Sequence, residues 1–156
     1  MKPGATTFKY ENRLAKSVVR TGGMSAAEAL SAAQKAVEEV REPTIAEIDA
    51  NLQEIYALGE ALKAGQAFDE TALQKMYICA NRVVAMGGVF GLGELGQAAY
   101  SLCELVSRFQ TLERFQWQMI RVHLDGLKLL RNPGDHPAAI RDEVLAGLRQ
   151  VATSVG

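Results

Sequence analysis

The chain has 156 residues, with 17 lysines and arginines against 18 aspartates and glutamates, and 48% of its residues are apolar. That length and apolar share suffice for one real hydrophobic core, and the near-zero balance of charge excludes the broad basic field of a non-specific binder of nucleic acid or acidic membrane. No uncharged apolar run approaches the ~18 residues of a membrane span, and MKPGATTFKYENRLAK lacks the apolar core of a secretion signal, so the expectation is a soluble, cytoplasmic protein with neither nucleic-acid nor membrane partners.

In chain order, residues 1–23 mix glycine, threonine and charge, carry a weak helical pattern around Phe8, Leu14 and Val18, and end in TGGM. They predict a flexible N-terminal arm, and residues 24–156 predict a single helical domain. Ser25 with Glu28 and Thr44 with Glu47 both spell capping boxes, Asp69 and Thr111 are candidate N-caps, and Asp135 precedes a first turn at His136 and Pro137. These signals predict six helices over residues 25–41, 44–64, 70–87, 92–109, 112–131 and 137–153, and no segment reads as a strand. Ile45, Ile48, Leu52, Ile55 and Leu62 recur at three-four spacing, as do Leu92, Leu95, Ala99, Leu102, Val106 and Phe109, so each helix has one wide face to bury. The fold class is therefore all-α: an antiparallel up-down-up-down four-helix bundle over about 44–131, with an N-terminal and a C-terminal helix packing outside or extending it. Cys79 and Cys103 fall inside apolar helical patterns without a CxxC, and read as small core or flank residues of a reduced protein rather than as a disulfide or a zinc site.

Helix 70–87 is the informative one. Its apolar stripe is Leu73, Met76, Tyr77, Ala80, Val83 and Val84. A step of ~100° per residue sets Asn81 on the shoulder of that stripe, in the sector of Gln74, Ile78, Ala85 and Gly88. A solvated bundle face normally carries lysine and glutamate; this one is small and uncharged, as a docking surface is. The plain alternative is that a flanking helix covers it.

The stretch NRVVAMGGVFGL resembles the motif segment of histidine-containing phosphotransfer (HPt) domains, in which the second helix of a four-helix bundle carries H-x-x-K-G and a later GL opens the next helix. The alignment through FGLGEL, Phe90 to Leu95, is gap-free, and GQAAYSLCELV has the small-residue and leucine spacing of the family's third bundle helix. Asn81 then falls on the phospho-accepting histidine, Val84 on the lysine and Ala85 on the glycine. The resemblance is strong over residues 73–109 and extends as a bundle to 44–131. It implies an HPt-like protein that lacks both the nucleophile and the cation of phosphoryl transfer, needs no cofactor or metal, and binds a response-regulator receiver domain or a histidine kinase through Gln74, Ile78, Asn81, Arg82, Ala85 and Gly88, with no catalytic residue.

Two further readings are of different classes. His123, in HLDGLK, faintly echoes the motif and would make the chain an active phosphotransferase; its apolar neighbours Met119, Ile120, Leu127 and Leu130 point it inward instead, where a neutral, hydrogen-bonded histidine is expected. His136 reads as a capping or exposed residue. The third reading is a homodimerising structural bundle whose shoulder is its own interface. GGVFGLGELG has no preceding strand and no P-loop lysine, and Glu38, Glu39, Glu42 and Glu47 lack the Glu-x-x-His pairing of a di-iron bundle, so neither nucleotide nor metal is expected. Phe115 and Trp117 are expected as anchors at the core edge.

Overall fold

Capping chemistry sets the first helix in motion. In the structure, a computed structural model that describes residues 23–65 and 67–155, the Glu28 carboxylate accepts the Ser25 N–H at 2.7 Å and the Ser25 hydroxyl accepts the Glu28 N–H at 3.2 Å. The Ser25 backbone N–H first, and the Ser25 side chain second, hold the Glu28 carboxyl below its ordinary range. Helix α1 then runs unbroken over Ala26–Gly65, with Pro43 inside it. The sequence predicts two helices here, 25–41 and 44–64, and the prediction fails for a local reason. Proline supplies no N–H to the carbonyl four residues back, but Arg41, Glu42 and Pro43 are exposed, so water reaches that carbonyl. Thr44 also turns its hydroxyl back to the Val40 carbonyl at 2.7 Å instead of capping a new helix with Glu47.

Internal contacts divide the chain into units of residues 1–39 and 40–156. Of the first, residues 23–39 are described: all are exposed, and Lys35 and Glu39 pair at 3.8 Å one turn apart. Apart from Gly23, the predicted arm lies outside the described residues.

The second unit holds the core. After α1 come α2 (Glu70–Gly87), α3 (Gly93–Leu112), α4 (Trp117–Arg131), a 3-10 turn (Pro133–Asp135) and α5 (Ala138–Thr153), with no strand among the described residues. The protein is an all-α helical bundle. One cluster of buried side chains runs from Ile48 to Val155. α3 is its centre, packed on α2, α4 and α5 and contributing Leu95, Leu102, Leu105, Val106 and Phe109 with no exposed surface. Each such side chain adds ~1.5–3 kcal/mol by leaving water. α5 belongs to this core as an integral helix, burying Leu145, Leu148 and Ala152. No helix among the described residues is long and apolar enough to cross a membrane.

Cross-helix contacts give the direction of two pairs. Along α1 and α4, Asp49 grips Arg131 through two bonds of 2.6 and 2.9 Å, the Tyr56 ring lies 5.2 Å from the Lys128 ammonium, and Gly59 leaves room for Leu124. Along α2 and α3, Gln74 meets Gln110, the Tyr77 carbonyl meets the Cys103 thiol, and Gly87 meets Gly96. In both series one number rises as the other falls, so each pair lies antiparallel.

The boundary between α3 and α4 departs from the sequence reading. Thr111 is not an N-cap: it lies inside α3 and donates to the Ser107 carbonyl at 2.9 Å. α3 stops one residue later because Glu113 takes a left-handed conformation, φ 49°, and returns its N–H to the Phe109 carbonyl. A glutamate in the position glycine usually fills leaves no sequence signal. Phe115 then folds back edge-on to Phe109, ring centroids 5.8 Å apart, before α4 starts at Trp117.

Candidate interaction face on α2

α2 is oriented by its start and its end. At the start, the Asp69 carboxylate accepts the Ala72 N–H at 3.0 Å, the predicted cap. At the end, Gly87 abuts α3 so closely that a Cβ there would stand 3.0 Å from the Leu92 carbonyl oxygen and 3.2 Å from the Gly96 nitrogen. Between these points Ala72, Leu73, Met76, Cys79, Ala80, Val83 and Gly87 are buried, a stripe centred farther from Asn81 than the sequence suggests.

Opposite it, Gln74, Ile78, Asn81, Arg82, Ala85 and Gly88 are all exposed. No described helix covers this sector: Ile78 keeps 43% of its surface in solvent. Gln74 is the one member seen tied to a neighbour, accepting from the Gln110 amide at 3.0 Å. Val89, 63% exposed, stands in the turn that follows α2. Glu70, Lys75 and Arg82 are exposed and supply charge around the face, while Gln74, Ile78, Asn81 and Ala85 within it are uncharged.

The small residues divide into two kinds. Gly87 is small because the α2–α3 crossing leaves no space. Gly88 meets nothing within 4 Å of a built Cβ, so the fold itself does not require its smallness. Val84, three residues after Asn81, is half-buried and borders a groove of about 510 Å³ whose walls include Gly88, Gln97, Tyr100, Ser101 and Arg149. Thus an amide stands outward at position 81, an alkyl group lines the groove at position 84, and Arg82 is turned ~100° further around the helix.

His123 has the opposite environment, with no exposed surface. Its Nδ1 lies 2.9 Å from the Met119 carbonyl, which only accepts, so Nδ1 carries the proton and donates. Nε2, 3.0 Å from the Ser101 oxygen, is then the acceptor in the neutral ring, taking the Ser101 hydroxyl proton. Burial pushes the imidazole pKa down, partly offset by the carbonyls of Met119 and Leu148. Sequence reasoning put the ring inside but missed Ser101: a serine beside Leu102 and Cys103 carries no pattern that names its partner. It also missed Arg141, which bonds Glu94 at 2.6 Å and the Pro133 carbonyl at 2.9 Å and so ties the segment after α4 to the start of α3. His136 is half-buried, and its carbonyl is another partner of Arg141.

Chemically, the α2 face offers amide and apolar contacts and no nucleophile. A carboxamide nitrogen is a poor nucleophile because its lone pair is delocalised into the carbonyl. The imidazole of His123 is a competent nucleophile by type, but both of its nitrogens point at partners inside the core. No family model, curated protein or solved structure matches this chain.

Proposed function

We propose that this chain is an HPt-like adaptor of two-component signalling that retains receiver-domain docking and lacks phosphoryl transfer. It would act in the cytoplasm, by binding a response-regulator receiver domain or by competing for it, or for a histidine kinase, with an active phosphotransfer protein. One observation carries the reading: the neutral, uncovered face of Gln74, Ile78, Asn81, Ala85 and Gly88, on the helix and at the register that the motif resemblance singles out. Transfer from a receiver aspartate requires a nucleophile that attacks the acyl phosphate and a cation that carries the transferring charge. Asn81 and Val84 supply neither, while the small residues that admit a partner remain.

The test is binding followed by phosphate chemistry. Purified protein is titrated against receiver domains from the same organism, and Ile78→Glu and Ala85→Arg are compared with the parent. The expected result is retention of at least one receiver, with affinity reduced more than about tenfold by either substitution and helicity unchanged, as suits exposed positions. Failure to retain any receiver would falsify the reading. Acid-labile phosphate captured from a phosphorylated receiver and lost in His123→Ala would replace it with an active phosphotransferase. A dimer in light scattering that Ile78→Glu dissolves would replace it with self-association.

A further inference from the structure

The groove of about 510 Å³ follows α3 for three turns, from Gly93 to Glu104, with Val84 of α2 and Arg149 of α5 in its walls. Its size is that of a small-molecule site, and it lies where such sites form in helical proteins, between the helices of the bundle. Its two ends differ in charge. Near the start of α3 the Arg149 guanidinium donates to the Gln97 side-chain oxygen, and no described carboxylate pairs with it. Further along, Glu104 is half-buried and has neither a hydrogen bond nor an ion pair among the described residues. Gln97 and Glu104 are seven positions apart, which is ~10 Å along a helix axis. One groove therefore holds a cation and an anion that do not neutralise each other.

The backbone field has the same sense. α3 opens at Gly93 with no side chain capping its first turn, so free N–H groups and the positive end of the helix dipole lie toward the Arg149 end. Glu94, the acidic residue of that turn, is already held by Arg141 at 2.6 Å. Between the ends the walls are uncharged. Tyr100 lines the groove with 56% of its surface in solvent, and the Ser101 hydroxyl is turned away to His123. A Cβ on Gly88 or Gly93 would meet nothing within 4 Å, so the fold asks for glycine at neither position. Bare backbone there keeps the groove open.

We infer that this groove is a binding site for a small zwitterion of tripeptide length, its carboxylate on Arg149 and Gln97 and its ammonium on Glu104. A guanidinium carries five N–H donors, so Arg149 has donors left for a carboxylate after serving Gln97. An extended chain of three residues spans ~10 Å, the separation of the two ends, and its middle side chain meets Tyr100 and Val84. A single amino acid is too short to engage both charges at once. The site goes beyond the docking role, because of the docking residues only Gly88 borders the groove.

The full chain is titrated with the peptide Ala-Phe-Ala, with its C-terminal amide and with its N-acetyl form, by calorimetry and amide chemical shifts at pH 7. The free peptide is expected to shift Gln97, Tyr100, Glu104 and Arg149, and each blocked form to bind about fivefold more weakly or worse, as the loss of a charged hydrogen bond requires. Arg149→Met should bring the acid and its amide within about twofold of each other, and Glu104→Gln should do the same for the free and acetylated amines. Neither side chain is buried, so both variants keep the fold. No shifts at millimolar peptide, shifts centred elsewhere, or discrimination that survives both substitutions overturns the site. Blocked forms that bind as well as the free peptide also overturn it, and make the groove a seat for an internal segment of a partner chain.

Discussion

Asn81 on α2 and His123 on α4 are two polar residues given opposite treatment by the same bundle. The first stands in solvent at the middle of a neutral face; the second is sealed in the core with both nitrogens bonded to protein. The position that could meet a partner carries an inert amide, and the side chain with the right chemistry is held where no partner reaches. What a residue can do depends on its surroundings as much as on its type, so counting histidines in the sequence says little about transfer chemistry.

That contrast predicts its own sizes. His123→Ala removes one hydrogen bond between α4 and α3 and one within α4, strands the buried Ser101 hydroxyl and opens a cavity, and should cost about 3 kcal/mol in chemical denaturation. Asn81→Ala should stay within about 0.5 kcal/mol. Equal costs would erase the distinction between the two sites.

A second pair sharpens it within α2 itself. Gly87→Ala drives a methyl group against the Leu92 carbonyl and the Gly96 backbone and should destabilise by about 1–3 kcal/mol. Gly88→Ala meets open space, and its backbone, φ −67° and ψ −22°, already suits alanine, so it should stabilise by about 0.5 kcal/mol. Thermal melts of the two variants should move in opposite directions.

The smallest effect belongs to the polar seam between α1 and α4. Burial first, and the Asp49 carboxylate second, push the Tyr56 phenol up to about 12, with Arg131 pulling the other way. An unfolded tyrosine ionises near pH ~10, so Tyr56 contributes stability that is complete below that pH and declines as pH rises from 10 toward 12. Absorbance at alkaline pH should show a late phenol ionisation that Tyr56→Phe removes.

Much of this was legible in the sequence, for definite reasons. The apolar spacing of helix 70–87 was enough to turn Gln74, Ile78, Asn81 and Ala85 outward, and that of helix 112–131 to turn the neighbours of His123 inward, because each rests on the helical period alone. What failed were local competitions whose outcome depends on surroundings. Pro43 and Thr44 read as a stop and a start, yet the helix continues because the gap faces water and the threonine hydroxyl bonds backward. Glu113 ends α3 without a glycine. Ser101, Arg141 and their partners are set by tertiary contacts between residues 22 and 47 positions apart, which no local pattern encodes.

The close approach of Gly87 to Gly96 has a consequence in time. α2 and α3 are joined by only the few residues 88–92, so their contacts close a short loop, whereas the Asp49–Arg131 grip joins positions 82 apart. Local pairings lose less chain entropy and form sooner. Substitutions at the α2–α3 crossing should therefore slow refolding, while those at the α1–α4 seam should mainly hasten unfolding. The face proposed for docking would then be built on the part of the molecule that assembles first and opens last.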